Sequence, residues 1–268
     1  MIRFKNISKS YGEKTILSDL SSELPDRGLV AFVGANGAGK STLLNIIARI
    51  LDRDSGDIEI DDKNLEDYPS DELARKISFL SQSNNINIRL TVRELVQFGR
   101  FPYSKGRLTD EDRQKVERAM GFLRISDIAD KRLDELSGGQ RQLAYIAMII
   151  AQDTKYIFLD EPLNNLDLKH SAELMDILAR LIDEEDKVIF LVVHDLNFVA
   201  AHADYVIAMK DGDIIYKGDK NELLSGKILN DVFDFDFDIV DIEDQKFCLY
   251  YKCRCRLEDR KTVLGLES

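Results

Sequence analysis

Gly34-Ala35-Asn36-Gly37-Ala38-Gly39-Lys40-Ser41 has the form Gly-x4-Gly-Lys-Ser. It lies between the apolar run Leu29 to Val33 and a helical apolar stripe at Leu43, Leu44 and Ile47. A strand, a glycine-rich turn and a helix in that order form the context a phosphate loop requires. The glycines let successive backbone N–H groups turn inward around phosphate oxygens, and the helix N-terminus adds positive potential. Lys40 then reaches the β- and γ-phosphates and the Ser41 hydroxyl serves as a ligand to Mg2+. Gly34, Asn36, Gly37, Gly39, Lys40, Ser41 and Thr42 are therefore expected to hold a nucleotide.

Outward from this loop, the bounded apolar segments Ile77 to Leu80, Tyr156 to Leu159, Val188 to Val193 and Tyr205 to Met209 alternate with helical patterns. Such runs are those of strands buried on both faces of a parallel α/β sheet. The clearest helix starts at Thr109, with Asp112 three residues on, and places Val116, Ala119, Met120 and Leu123 on one stripe. The first sixty residues differ. Ile2-Arg3-Phe4-Lys5 and Asp57-Ile58-Glu59-Ile60-Asp61 alternate apolar with polar, which predicts a small antiparallel β subdomain with one wet face. No strand pattern appears from about Leu90 to Leu133, which predicts a helical subdomain. Asp211-Gly212 marks a hairpin turn before a short strand at Ile214, Ile215 and Tyr216.

Composition narrows the class. The chain has 268 residues, 44% of them hydrophobic, enough to bury a sizeable core. The net charge of -12 argues against a phosphate-backbone partner, so no nucleic acid is expected. No run of about 18 uncharged apolar residues appears, and MIRFKNISKSYG lacks the apolar stretch of a signal peptide, so the chain is expected in the cytosol with any membrane contact made through a partner. Cys248, Cys253 and Cys255 fit a reducing compartment better than a disulfide framework.

Tyr156-Ile157-Phe158-Leu159-Asp160-Glu161 is an apolar strand that ends in two carboxylates, at the edge where ligands of open α/β sheets bind. Asp160 suits Mg2+, held directly or through water, and Glu161 suits polarisation of an attacking water.

Leu136-Ser137-Gly138-Gly139-Gln140 makes the chemistry more specific, because it resembles the signature sequence of ABC-type ATPases. Physically, Ser137 and two glycines opening a helix from about Gln140 to Gln152 offer a second anion-binding helix N-terminus. The resemblance implies an α/β P-loop NTPase fold of the ABC type, with the small antiparallel β subdomain and the helical subdomain. It implies that Ser137, Gly138, Gly139 and Gln140 complete the nucleotide site of a second copy, so that two ATP are sandwiched in a head-to-tail homodimer. By the same resemblance Tyr11 stacks on adenine, Gln82 is the Q-loop glutamine that contacts Mg2+ and water, and Asp167 of Asn164-Asn165-Leu166-Asp167 faces the other subunit. His194, after Val188 to Val193, matches the switch histidine at the γ-phosphate; His170 and His202 are left as surface or packing residues. The catalytic set is then Glu161, His194 and Gln82, the metal set Ser41, Gln82 and Asp160, and the cofactors ATP and Mg2+. The match covers about Met1 to Asp219 as the ATPase domain, with its helical subdomain near 90–133, and leaves 220–268 as a C-terminal appendage.

Within that family, the stretch Thr91 to Tyr103 and the run DEPLNNLDLKHS from Asp160 to Ser171 resemble the subunits of ferric-siderophore, haem and cobalamin importers. This implies an ATPase peripheral at the cytoplasmic face of the cell membrane, docked under an integral-membrane permease dimer that an extracytoplasmic substrate-binding protein feeds. The competing reading is a soluble ABC ATPase of an assembly system such as iron-sulfur cluster biogenesis, against which the importer-like stretch after Gln82 speaks. A chromosome-organising ATPase would carry a long coiled coil between phosphate loop and signature, and no sustained heptads occur there.

In the last forty residues Phe233, Phe235 and Phe237 alternate with Asp234, Asp236 and Asp238. This predicts a strand with rings on one face and carboxylates on the other, a solvated face rather than a cation site. Cys253-x-Cys255 lacks a second ligand pair and is not assigned a metal.

Overall fold

A computed structural model describes residues 1–82, 89–225, 227–242 and 245–249. Cys253 and Cys255 lie outside the described residues. Two large sheets, a terminal two-stranded hairpin and two sets of helices build the described fold. The smaller sheet is antiparallel and consists of β1 (Ile2–Tyr11), β2 (Lys14–Leu24), β4 (Ser55–Ile60) and β5 (Lys63–Asn64) in the order β2-β1-β4-β5. Its alternating residues Ile2, Phe4, Ile58 and Ile60 are buried while Lys5, Asp57 and Glu59 face outward, as the period-2 pattern predicts.

The larger sheet has the order β10-β9-β3-β8-β7-β6. Its strands are β3 (Gly28–Val33), β6 (Ile77–Leu80), β7 (Tyr156–Asp160), β8 (Val188–Val192), β9 (Tyr205–Lys210) and β10 (Asp213–Gly218). All neighbours are parallel except β9 and β10, which form a hairpin over Asp211 and Gly212, both at positive φ. β3 and β8 are apolar at every position because both faces are covered. Val30 and Phe32 pack toward α1 (Lys40–Ile47) and the antiparallel sheet, whereas Leu29, Ala31 and Val33 join the core on the other face. That second core contains α3 (Val92–Phe98), α5 (Asp110–Phe122), α6 (Gly138–Gln152), α7 (Leu168–Glu185) and α8 (Leu196–His202). Two short helices, α2 (Ser70–Leu73) and α4 (Phe101–Ser104), touch each other at the edge.

Between β6 and β7 the described chain is helical, and α6 packs against both α3 and α5. The Thr109 cap holds: its hydroxyl accepts from the Asp112 N–H while the Asp112 carboxylate accepts from the Thr109 N–H. Asp112 also meets Arg100 at 2.9 Å, and both side chains are buried.

The end of the described chain departs from the sequence expectation. α9 (Lys220–Leu223) and α10 (Lys227–Phe233) lead to a short hairpin of β11 (Asp238–Ile242) and β12 (Gln245–Leu249). The Phe-Asp alternation is therefore not a strand: Phe233 ends a helix, Asp234 turns the chain at φ 52, and β11 begins only at Asp238. The physical cause is a local lock. Lys210 donates to the Asp231 carbonyl and to the Asp234 carboxylate, both at 2.7 Å, and Asn230 accepts from the Phe237 N–H. The three rings do gather, with Phe237 edge-on to both Phe233 and Phe235. β12 lies against α8, where Asn197 accepts from the Cys248 N–H at 2.7 Å and donates to its carbonyl. Cys248 is buried and free, and burial first, then the nearby Asp195 charge, raises its thiol pKa to about 11.

Candidate functional site

Strand order assembles the site. β3, β8, β7 and β6 are adjacent and parallel, so their carboxyl ends open side by side. β3 runs into the phosphate loop, β8 leads to His194, β7 ends at Asp160 and is followed by Glu161, and β6 leads to Gln82. Residues as far apart in sequence as Asn36 and His194 are thereby brought to the crevice where open α/β sheets bind ligands.

A cavity of about 490 Å3 at this edge is lined by Tyr11, Asn36, Gly37, Gly39, Lys40, Ser41, Thr42, Gln82, Glu161 and His194, among others. Gly34 belongs to the loop but serves another purpose. A Cβ there would stand 2.1 Å from the Met209 carbonyl oxygen of β9, so only glycine lets the loop leave the sheet this tightly. Gly37 faces open space at φ 83, the geometry that turns an N–H inward. Lys40 is buried and donates to the carbonyls of Gly34 and Ala35 at 2.7 and 2.9 Å, closing the loop on itself. Burial lowers its pKa, against the opposing pull of Glu161 and Asp160.

Beneath the loop, the Ser41 hydroxyl donates to Asp160 Oδ1 at 2.9 Å. Asp160 is buried, and its pKa is raised, first by burial, with the Ser41 bond opposing and the Glu161 charge adding. Glu161 stands at φ 51, a backbone region that non-glycine residues avoid and that recurs at functional positions. That turn aims its carboxylate at three side chains. Gln82 Nε2 donates to Oε2 at 2.8 Å, Asn164 Nδ2 donates to Oε2 at 2.6 Å, and His194 Nε2 lies 2.7 Å from Oε1. Burial acts to raise the Glu161 pKa, but the bonds from His194, Asn164 and Gln82 outweigh it and hold the group below its ordinary range.

Tyr11 is 54% exposed at the mouth of the cavity. Ser137, Gly138, Gly139 and Gln140 do not line it. Helix α6 opens at Gly138, two residues before the expected Gln140, with Ser137 as its cap and reciprocal bonds to Gln140. Gly138 and Gly139 instead adjoin Asn165 of the same chain. Asp167 caps α7 by accepting from the His170 N–H, and the His170 ring also meets Asp167 at 2.8 Å. Sequence reasoning left His170 and Asn164 without a role. The only signal for either was its spacing, i+3 from Asp167 and i+3 from Glu161, which binds adjacent turns.

The fold and this cavity define a P-loop NTPase, an ATP-binding cassette. The family described as ABC transporter matches residues 17–164, more than half of the chain, and the chain belongs to it. It is 49% identical over 251 residues to the petrobactin import ATP-binding protein YclP of Bacillus subtilis (strain 168), covering 94% of this chain and 100% of that protein. It is 44% identical over 240 residues to the petrobactin import ATP-binding protein FatE of Bacillus anthracis, covering 90% and 96%. A dimeric post-hydrolysis structure of the ATP-binding cassette MJ0796 bound to ADP and Pi superposes with a TM-score of 0.74 at 31% identity, over 82% of this chain and 99% of that one. The chain is an ABC-type ATPase.

Proposed function

We propose that this chain is the ATP-hydrolysing subunit of a membrane importer of ferric siderophores, acting as a homodimer beneath a permease dimer at the cytoplasmic face of the membrane. The full-length likeness to import subunits for petrobactin carries the cargo class. Among the described residues no helix is long and apolar enough to cross a membrane, which leaves the path itself to a permease partner. An extracytoplasmic binding protein delivers the cargo in this reading.

Glu161 is the base. Three neutral or cationic side chains keep it ionised and fix its direction, so it accepts hydrogen bonds from a water in line with the γ-phosphate. His194 orients Glu161 and serves the γ-phosphate of bound ATP. Lys40 exchanges its two loop carbonyls for β- and γ-phosphate oxygens, and Asn36, Gly37, Gly39 and Thr42 supply the phosphate cradle. Tyr11 presents an exposed ring to adenine. The oxygen-rich set of Ser41, Asp160 and Gln82 fits Mg2+, which is bound through oxygen ligands, and the buried Asp160 carboxylate gains a cation to face. When bound, that ion neutralises charge on the β- and γ-oxygens. The second copy contributes Ser137, Gly138, Gly139, Gln140 and Asp167, and 1–219 is the ATPase domain, with a helical subdomain near 90–133 and the appendage 220–268.

Purification from membranes with the permease, followed by ATPase assays with and without the ferric-siderophore-loaded binding protein, tests this. Stimulation by the loaded binding protein is expected. Recovery only from the soluble fraction, with no permease attached, would favour an assembly-system ATPase instead.

A further inference from the structure

Helix α10 and the turn after it take no part in the reading above, yet they stand at the rim of the nucleotide cavity. Phe233, Phe235, Phe237 and Leu196 line an apolar cavity of about 540 Å3 whose remaining walls are His194 and Asp195. A second cleft, of about 320 Å3, has the phosphate-loop residues Asn36 to Ala38 on one side and Val232 to Asp234 on the other. The nucleotide cavity shares His194 with the first and Asn36 to Ala38 with the second. The three openings therefore form one continuous face.

The ring cluster is held in place. Lys210 clamps the end of α10, Asn230 ties down Asp236 and Phe237, and the Asn197–Cys248 pair fixes the following hairpin to α8. Phe235 nonetheless remains 43% exposed. A fixed, exposed aromatic surface of this kind marks an interaction site.

We propose that a second copy of this chain closes onto the Phe233–Phe235–Phe237 face when ATP is bound, so that the aromatic turn extends the dimer interface beyond the nucleotide. The inference rests on the homodimer reading above. Gly138 and Gly139 pack beside Asn165, and Ser137 to Gln140 do not line the nucleotide cavity of their own chain, which leaves them free to meet the phosphate loop of the other copy in that homodimer. A surface that covers Asn36, Gly37 and His194 runs directly onto the rings. The chain also carries an apolar group for such a cleft: Leu168, beside the interfacial Asp167, is 91% exposed. Asp195 and Asp236 at this rim, with Asp234 already paired to Lys210, disfavour an anionic lipid surface as the occupant.

The test uses the full chain carrying Glu161→Gln, with and without Phe235→Ser, and a second preparation with a benzoylphenylalanine photo-crosslinker at position 235. With ATP and Mg2+, Glu161→Gln should dimerise in sedimentation experiments, and Phe235→Ser should weaken dimerisation about tenfold, the consequence of losing part of one aromatic contact. Binding of a fluorescent ATP analogue to the monomer should not change. The crosslinker should give a product of twice the chain mass in ATP and none in ADP. Equal dimerisation with and without Phe235, or crosslinks confined to the same chain or to the permease in the purified complex, would overturn the proposal while leaving the homodimer intact. If Glu161→Gln alone fails to dimerise in ATP, the homodimer reading falls first and this inference with it.

Discussion

His194 Nε2 stands 2.7 Å from Glu161 Oε1, although the two residues follow different strands of the sheet. The contact depends on the pairing of β7 with β8, which sets Asp160 opposite Val192, and on the left-handed turn at Glu161 that swings its carboxylate sideways. Glu161→Gln keeps the shape and the neighbours but removes the carboxylate proposed as the base. The expected outcome is a loss of ATP turnover of about 100-fold or more, with nucleotide affinity retained. Turnover assays beside equilibrium nucleotide binding check this, and a variant that hydrolyses ATP at the parental rate would remove Glu161 from the role of base.

The same contact predicts a pH response. A general base works only when deprotonated, so activity falls as pH drops through its pKa. The bonds from His194, Asn164 and Gln82 hold the Glu161 pKa below its usual range despite burial, which places the acid limb of single-turnover hydrolysis below that of an ordinary glutamate. His194→Ala removes the strongest of those bonds, so the limb should move to higher pH as well as the rate falling. An unmoved limb with a lowered rate would mean that His194 acts on the phosphate alone.

Much of this arrangement was legible in the sequence because it is local. The phosphate loop, the carboxylates after β7 and the Thr109 cap each need only a few consecutive residues. Strand order was less legible: nothing in a single run of residues states that β6 lies beside β7, which is what carries Gln82 to Glu161. The Phe-Asp alternation misled because its period of two is also the spacing of side chains on one side of a turn. Long-range bonds from Lys210 and Asn230 decided between the two, and those partners are invisible to local periodicity. The engagement of Asn164 and His170 was likewise hidden, since a short polar run reads as loop until its partners are known.

Lys40 gives a binding prediction of opposite kind. It is held by the Gly34 and Ala35 carbonyls in a cleft lined by the phosphate-loop residues Asn36 to Thr42. Lys40→Ala should weaken ATP binding by about 10- to 100-fold, the equivalent of one or two hydrogen bonds to a charged group. AMP, which lacks both phosphates that Lys40 is proposed to reach, should lose far less. Isothermal titration with the two nucleotides separates the cases, and an equal loss for both would point to a collapsed loop rather than a lost phosphate contact.

Arg100 and Asp112 give the stability counterpart, remote from the nucleotide. Arg100 donates to Asp112 at 2.9 Å and to the Ala151 carbonyl at 2.9 Å, and it lies 4.0 Å from the centre of the Tyr103 ring, so it joins α4, α5 and the end of α6. Arg100→Ala leaves a buried carboxylate without its counter-charge, held by Thr109 alone, and should cost about 3–5 kcal/mol of folding stability, whereas replacing both partners with apolar residues of similar volume should cost much less. Burial acts to raise the Asp112 pKa, but its bonds from Thr109 and Arg100 outweigh that and lower it. The pair's contribution is therefore complete above the unfolded-state carboxyl pKa and is lost as pH falls through the lower folded value. Urea unfolding of the parent and both variants at neutral and acid pH reads each term. A single variant as stable as the double one would show that Asp112 does not depend on Arg100, and that the three helices are joined by their apolar contacts alone.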